Sequence, residues 1–361
     1  MNKSNPELVS SDIRRIVVRV TNWIGDAVMN TPALAAIRAT YPHAEIVLVA
    51  NPLVAELFIH HPCCDRVLMY DKKGKDKGIA GLLRFAAILR KERFDMAILL
   101  QKAVEAAIIA WLARIPVRIG YKTDGRGLLL SHGLAFDEHI RTQHHVYHYL
   151  HLLKTFGIDN KVHEQVLQLT PAESAWASKL LAEKKWVAIN PGAAYGSAKR
   201  WLPERFAEVA DRVAKHYGFN VLLIGGPAEA DIGAEIEALM SVNPLNLIGK
   251  TTVREMMALV SLVRLMVTND SGPMHIAAAF KRPIVAVFGS TDHKTTHPYG
   301  TAYRIVRKEF DCTPCLLRQC PIDHRCMVSV TADDVMTAIA ELESAAGVPL
   351  STAAETQRSL L

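Results

Sequence analysis

Short apolar runs alternate with amphipathic stretches along the N-terminal half of the chain. Residues 13–20 and 45–50 are rich in Ile and Val, a pattern typical of strands buried on both faces of a parallel sheet. Between them, residues 25–40 carry apolar side chains at helical spacing, with a predicted restart of the helix at Pro32. Further short strands are predicted at residues 66–70, 96–100 and 117–120.

A second alternating series begins at Trp186. Its predicted strands cover residues 186–190, 221–224, 245–248, 265–268 and 284–288, and its predicted helices cover 203–216, 229–240, 253–263 and 331–345, with another opening after Gly272. Two such series predict an α/β protein with two parallel-sheet domains and a cleft between them. We place an N-terminal domain at 1–165, a C-terminal domain at 166–347 and a flexible tail at 348–361.

A polar corner follows the strand at 265–268, with the sequence Asn269-Asp270-Ser271-Gly272-Pro273-Met274-His275. The helix that opens after Ser271 and Gly272 places backbone N–H groups and a positive helix end at the carboxyl edge of the sheet. Gly272 lets the backbone approach a ligand closely, and His275 falls in the first helical turn. The corner is therefore predicted to bind phosphate.

The first strand ends in Thr21-Asn22-Trp23-Ile24-Gly25-Asp26, which lacks the G-x-G-x-x-G fingerprint of dinucleotide-binding sites. The segment places one carboxylate, that of Asp26, at the start of a helix on the carboxyl edge of the sheet. The residues allow two interpretations. Asp26 is either a first-turn acid that the helix dipole stabilises, or a general base in the cleft that the same dipole keeps ionised.

Two glycine-containing loops end strands of the second series. Asn190-Pro191-Gly192 leads to Lys199 and Arg200, which either deliver positive charge to a diphosphate or form an ordinary solvated loop. Gly225-Gly226 leads to Glu229, and a plain strand-to-helix turn explains these glycines equally well.

Four cysteines form the pattern Cys312-x2-Cys315-x4-Cys320-x5-Cys326. The spacing departs from the paired C-x2-C arrangement common in zinc sites. We favour reduced thiols that brace a loop, and a zinc or iron–sulfur centre is the alternative. The histidines of segment 144–151 are interpreted as part of an ordinary amphipathic helix.

Composition excludes several classes of protein. The formal net charge of +6 comes from scattered basic residues, so we expect no nucleic-acid partner. No apolar run has the length of a membrane span, and the polar start of the chain with Asp12 is unlike a secretory signal peptide. The basic residues from Lys72 to Arg93 surround apolar residues 79–89, which indicates either a solvated face or a surface resting on an anionic membrane.

Three segments in this order resemble the ADP-heptose:lipopolysaccharide heptosyltransferases of glycosyltransferase family 9. They are Trp23-Ile24-Gly25-Asp26, Asn190-Pro191-Gly192 with Ala198-Lys199-Arg200-Trp201, and the run 268–279. The similarity extends from about Ile13 to Ala345. Within the family, the chain looks most like the enzymes that add the second inner-core heptose. It implies the GT-B fold, in which two Rossmann-like domains face a central cleft, with the acceptor on the N-terminal domain and the nucleotide sugar on the C-terminal one.

The resemblance also implies a reaction and its site. The reaction is an inverting, metal-independent and cofactor-free transfer of L-glycero-D-manno-heptose from ADP-heptose to the heptosyl-Kdo2–lipid A core. The enzyme is expected in the cytoplasm, in peripheral contact with the inner membrane. By the same resemblance, Asp26 matches the catalytic base and Lys199 the lysine on the donor phosphate. Further residues match substrate-binding positions: Asn190, Gly192, Glu229, Thr251, Asp270, Ser271, Gly272 and His275.

Two other interpretations stay open. A sibling transferase would act on another core acceptor or use another nucleotide sugar. A protein of a different class would bind metal or sense redox state through Cys312, Cys315, Cys320 and Cys326.

Overall fold

The computed structural model describes residues 12–159 and 164–346. They form two units, and the chain passes from the first to the second after Gln168. The predicted tail at 348–361 lies outside the described residues.

The N-terminal unit contains one six-stranded sheet in which every strand pair is parallel. Its strands are β1 (Arg15–Arg19), β2 (Glu45–Ala50), β3 (Arg66–Met69), β4 (Met96–Leu99), β5 (Val117–Tyr121) and β6 (His132–Leu134). Its helices are α1 (Ile24–Met29), α2 (Thr31–Thr40), α3 (Pro52–Ala55), α4 (Gly78–Glu92), α5 (Val104–Leu112), α6 (Glu138–Arg141) and α7 (His145–Lys154). The strand order is β3-β2-β1-β4-β5-β6.

The C-terminal unit contains a second parallel six-stranded sheet. Its strands are β7 (Trp186–Asn190), β8 (Asn220–Leu223), β9 (Leu245–Asn246), β10 (Leu265–Asn269), β11 (Ile284–Val287) and β12 (Tyr303–Val306). Its helices are α8 (Pro171–Leu181), α9 (Pro203–Tyr217), α10 (Ala230–Leu239), α11 (Val253–Val260), α12 (Gly272–Ala279), α13 (His293–Thr296), α14 (Arg325–Val328) and α15 (Ala332–Ala346). The strand order is β12-β11-β10-β7-β8-β9.

The central strands of both sheets are buried on both faces, as the Ile- and Val-rich runs predict. Every residue of β4, β7 and β10 is buried, whereas the edge strand β3 is partly exposed. The predicted restart at Pro32 is confirmed, since α1 ends at Met29 and α2 begins at Thr31. Asn30 lies between the two helices, and its Oδ1 accepts hydrogen bonds from the Thr21 amide (3.0 Å) and hydroxyl (3.1 Å) at the end of β1.

Both sheets use the same connectivity. Counted from the first strand of each unit, the order is 3-2-1-4-5-6, which reverses direction between the first and the fourth strand. Ligands of open parallel sheets bind outside the carboxyl ends of the strands at such a switch point. The switch points lie between β1 and β4 in the N-terminal unit and between β7 and β10 in the C-terminal unit. None of the helices within residues 12–159 and 164–346 is long and apolar enough to cross a membrane.

Candidate active site

Asp26 lies in the first turn of α1, directly past the carboxyl end of β1. Its carboxylate contacts the imidazole of His145, with 3.0 Å between Asp26 Oδ1 and His145 Nδ1. His145 is the first residue of α7, and both side chains are partly exposed. An ionised carboxylate can only accept a hydrogen bond, so a hydrogen bond between an ionised Asp26 and this ring nitrogen places the hydrogen on Nδ1.

A cation lies close to this pair. The Lys102 ammonium is 3.3 Å from His148 Nδ1 and 3.7 Å from the centre of the Phe136 ring. Burial lowers the pKa of Lys102 to about 8, and the charge of Asp26 partly opposes that shift. Burial also lowers the pKa of His148 to about 3, with the charges of Lys102 and His145 adding to the effect. His148 is therefore neutral near pH 7, and it can accept a hydrogen bond from Lys102.

These groups line an open cleft of about 270 Å³ within the N-terminal unit. Three loop or helix segments form it: the residues after β1, the residues after β4 and the start of α7. The lining residues are Thr21, Asn22, Trp23, Asp26, Leu100, Gln101, Lys102, His145 and Tyr149. The cleft thus occupies the switch point of the first sheet and offers one carboxylate, one imidazole and one ammonium group.

Lys199 and Asp270 form an ion pair at the switch point of the second sheet. The Lys199 ammonium is 2.5 Å from Asp270 Oδ2 and 3.3 Å from the Asp270 carbonyl oxygen, and both side chains are largely buried. The same Oδ2 accepts a hydrogen bond from the Thr291 hydroxyl at 2.6 Å. Because the pair carries no net charge, an anion bound here has to share the ammonium with Asp270.

The N-terminus of α12 supplies the second donor group of this corner. The helix begins at Gly272, as the sequence predicts, and Ser271 precedes it. The Ser271 hydroxyl donates to Asn190 Oδ1 (2.7 Å), and the Ser271 side chain makes no capping hydrogen bond to the first turn of α12. The side-chain nitrogen of Asn190 donates to the Ile224 carbonyl (2.9 Å). Asn190 is buried, and it therefore links Ser271 to the residue that follows β8.

Glu229 lies against Gly192. Its carboxylate accepts a hydrogen bond from the Gly226 amide (2.8 Å) in the turn before α10, and burial raises the pKa of Glu229. A Cβ atom on Gly192 would stand 1.8 Å from Glu229 Oε1. A larger residue at position 192 would therefore displace the Glu229 carboxylate.

The remaining predicted residues lie on the same side of the second sheet. Thr251 is half-buried in the loop before α11, and that loop is joined to the Glu229 turn because Gly249 N donates to the Gly225 carbonyl (3.0 Å). His275 is buried in the first turn of α12. All the predicted C-terminal residues thus follow strands β7 to β10 at their carboxyl ends, while Asp26 follows β1 in the other unit.

The cysteine-rich segment braces the loop that carries Lys199. The Ala198 amide donates to the Arg318 carbonyl (3.0 Å), the Tyr195 hydroxyl donates to the Leu316 carbonyl (2.8 Å), and His324 Nε2 is 3.1 Å from the Ala198 carbonyl. Burial and the three neighbouring thiols raise the pKa of Cys326. Across residues 12–159 and 164–346, no group of three or more His, Cys, Asp or Glu residues is arranged to hold a metal ion.

Comparison with known proteins decides the family. The family model described as "Glycosyltransferase family 9 (heptosyltransferase)" matches residues 82–325. The chain belongs to glycosyltransferase family 9. It is similar to lipooligosaccharide heptosyltransferase 2 of Campylobacter jejuni, with 28% identity over 91% of this chain and 99% of the relative. It is also similar to lipopolysaccharide heptosyltransferase 2 of Escherichia coli K12, with 28% identity over 81% of this chain and 88% of the relative.

Solved structures agree with this family. The structure of Escherichia coli ADP-heptose LPS heptosyltransferase II matches with a TM-score of 0.77 and 26% identity, over 91% of this chain and 98% of that one. A family 9 glycosyltransferase from Veillonella parvula matches in fold with a TM-score of 0.84 and 23% identity, over 92% and 98% of the two chains. The predicted GT-B class, with two Rossmann-like parallel sheets, is confirmed, and so is the prediction of a glycosyltransferase.

The matched family region contains Lys199, the Asp270 corner and the cysteine-rich segment except Cys326, but it begins after Asp26. The geometry around Asp26 therefore bears on its role independently of the family model. The surroundings of Asp26 include two residues that no sequence pattern assigns to the site, His145 and Lys102. His145 lies 119 positions from Asp26 in the sequence, and only the packing of α7 beside α1 brings them together. The one available signal was the unusual density of histidines in residues 144–151.

Proposed function

We propose that this family 9 glycosyltransferase transfers L-glycero-D-manno-heptose from ADP-heptose to the heptosyl-Kdo2–lipid A inner core, with Asp26 as the catalytic base. The main support for the proposal is that the switch points of the two sheets carry different functional groups. The first has a carboxylate held by an imidazole in an open cleft, and the second has an anion corner built from Lys199 and the N-terminus of α12. The near-complete alignment with proteins named heptosyltransferase 2 supports the choice of sugar and acceptor.

The acceptor hydroxyl is a poor nucleophile until it loses its proton. Asp26 takes that proton as the oxygen forms a bond to the anomeric carbon, and the bond from that carbon to the diphosphate oxygen breaks at the same time. Attack opposite the leaving group inverts the anomeric configuration. The products are the extended core, ADP and a protonated Asp26 that returns its proton to solvent.

His145 is a positioning residue in this scheme. Its Nδ1–H binds Asp26 Oδ1 and holds the carboxylate at the carboxyl end of β1. Lys102 attracts Asp26 across the cleft, and this attraction favours the charged forms of both groups. Replacement of His145 by Gln keeps a hydrogen-bond donor, whereas replacement by Ala removes it. We expect kcat to recover in the Gln variant relative to the Ala variant, while a purely packing role for His145 predicts no such difference.

The leaving diphosphate gains negative charge as its bond to the sugar breaks. We propose that Lys199 and the first-turn amides of α12 stabilise this charge, without a metal ion. Asp270 holds the Lys199 ammonium at 2.5 Å and keeps it in place before the donor arrives. Excess EDTA should therefore leave turnover unchanged, and a loss of turnover that Mg²⁺ restores would contradict the metal-independent scheme.

The choice of acceptor separates this function from that of a sibling transferase. Purified enzyme is incubated with ADP-heptose and with Kdo2–lipid A acceptors that carry either no heptose or one heptose. The masses of the products are then measured by mass spectrometry. We expect addition of one heptose to the mono-heptosylated acceptor alone. Transfer to the heptose-free acceptor, or transfer only from another nucleotide sugar, would assign a sibling activity.

We further propose that the enzyme works in the cytoplasm at the inner membrane, because its acceptor is anchored there by lipid A. In this proposal the N-terminal unit takes the acceptor and the C-terminal unit takes the nucleotide sugar. The ion pair of the C-terminal corner and the Asp26 cleft of the N-terminal unit support this division.

A further inference from the structure

Helix α4 of the N-terminal unit presents large apolar side chains to solvent. The exposed fractions are 79% for Ile79, 51% for Leu83 and 42% for Ile88. The opposite side of the same helix packs into the core through Phe85 and Leu89. The exposed apolar residues are therefore additional to those that the fold needs.

The remaining exposed positions of α4 are small or basic. None of the exposed residues of the helix is acidic; they are Gly78, Ile79, Ala80, Leu83, Arg84, Ala87, Ile88, Arg90 and Lys91. Helix α9 of the other unit has the same length and gives a comparison, because its exposed residues include Glu204 and Glu208 together with Lys215. Charges of both signs are typical of a solvated helix face, so the outward side of α4 differs from that of α9.

The loop before α4 adds positive charge. Lys73, Lys75 and Lys77 are exposed in residues 72–77. Asp76 of the same loop is buried and is bound by the Arg84 guanidinium at 2.8 Å, which fixes the loop against the helix. Asp71, at the start of the loop, is half-buried and accepts the Gly74 amide at 2.9 Å.

A neighbouring helix continues the apolar character. Helix α5 packs beside α4, and its Trp111 is 51% exposed. The 3₁₀ turn Arg126–Leu129 contacts α5 and presents Leu128, which is 97% exposed. Tryptophan and leucine side chains among basic residues are typical of surfaces that enter the interface region of a bilayer.

We propose that this surface, the outward side of α4 with the lysine loop 72–77 (the α4 face), docks on an anionic lipid bilayer. Charge complementarity selects the occupant, because phospholipid headgroups supply a continuous negative surface and acyl chains accept Ile79 and Leu83. Hydrophobic insertion and electrostatic attraction act together, so binding weakens at high salt. Only the role of this docking rests on the proposed function: it would bring the enzyme to a lipid-linked acceptor.

Vesicle sedimentation tests the α4 face directly. Purified full-length enzyme is mixed with vesicles of phosphatidylcholine alone or of phosphatidylcholine with phosphatidylglycerol, at low and at high salt. We expect the wild type to sediment with the anionic vesicles at low salt and to be released at high salt. The double variant Ile79→Glu/Leu83→Glu should lower the partition coefficient at least roughly tenfold, because it removes two inserted side chains and adds two negative charges.

A matched control is Leu180→Glu/Leu239→Glu, which changes two leucines with exposed fractions of 41% and 52% on helices α8 and α10. It should sediment like the wild type. Failure of the wild type to bind anionic vesicles, equal binding by the Ile79→Glu/Leu83→Glu variant, or equal loss in the control would each overturn the proposal. Turnover of a water-soluble, delipidated acceptor should be unchanged in the α4 variant. Absence of that turnover even in the wild type would count against the proposed function and leave the vesicle result intact.

Discussion

Replacement of Gly192 by Ala tests how the donor corner is packed. Gly192 follows β7 in the segment Asn190-Pro191-Gly192, and the Glu229 carboxylate lies directly against it. The variant therefore perturbs the Glu229 carboxylate without replacing Glu229 itself.

The geometry sets the size of the effect. A Cβ atom at position 192 would stand 1.8 Å from Glu229 Oε1, whereas real Cβ contacts almost never fall under 3.0 Å. The carboxylate has to move by more than 1 Å, which breaks its 2.8 Å hydrogen bond from the Gly226 amide. Loss of a buried hydrogen bond to a carboxylate costs about 1.5–3 kcal/mol. The family resemblance matches Glu229 to a substrate-binding position, so if the bound donor depends on this carboxylate, ADP affinity should fall by roughly tenfold to a hundredfold.

The assay is calorimetric titration of ADP into the wild type and four variants: Gly192→Ala, Gly226→Ala, Glu229→Ala and Glu229→Ala/Gly192→Ala. Gly226→Ala is the matched control, since its added Cβ would meet only Glu229 Oε2, at an ordinary contact distance of 3.9 Å. The backbone of Gly226, with φ at −79°, also accepts alanine without strain. We expect Gly226→Ala to bind ADP like the wild type.

A double variant identifies the cause. In the Glu229→Ala background there is no carboxylate to displace, so adding Gly192→Ala should weaken ADP binding little further. Wild-type affinity in Gly192→Ala would refute the reasoning. Two fully additive losses would show that Gly192 acts through another contact.

Three further predictions concern single residues. Lys199→Ala should raise the KM for the donor and also lower kcat, because the ammonium holds phosphate both before and during departure; an effect on KM alone would remove it from the transition state. Lys102 has a pKa of about 8, so its charge is present below that pH and lost above it. The value of kcat/KM should therefore decline above about pH 8, and Lys102→Arg should shift this decline to higher pH. Asn269 accepts from Trp201 N at 3.0 Å and donates to the Pro191 carbonyl at 2.7 Å, so Asn269→Ala should lower the free energy of unfolding by about 2–4 kcal/mol in urea denaturation.

Much of the donor corner could be predicted from the sequence because its residues follow the ends of strands. Apolar runs identify the strands, and parallel strands bring their carboxyl ends to one edge of a sheet. The sequence therefore predicts that Asp270, Ser271 and Lys199 lie at the same edge of the second sheet. Their partners did not. Asn269 and Thr291 organise the same corner through hydrogen bonds that no local pattern indicates.

Side-chain direction was the other property that sequence patterns could not supply. The side-chain amide of Asn190 contacts the Ile224 carbonyl and the hydroxyls of Thr268 and Ser271, and no sequence pattern indicates these three partners. The apolar spacing of residues 144–151 indicates an ordinary amphipathic helix, whereas His145 begins α7 and contacts Asp26. The orientations of the Asn190 and His145 side chains depend on contacts between segments that are distant in the sequence.

The central claim is that Asp26 is the base of heptosyl transfer. The most direct measurement combines steady-state ADP release, from ADP-heptose with the mono-heptosylated acceptor, with the ADP dissociation constant of Asp26→Ala. We predict that kcat falls by roughly 10²–10⁴-fold or to the detection limit, with ADP affinity nearly unchanged, because the base acts on the acceptor. Asp231→Asn serves as the control, since Asp231 is an exposed first-turn acid of α10. Wild-type turnover by Asp26→Ala would contradict the account.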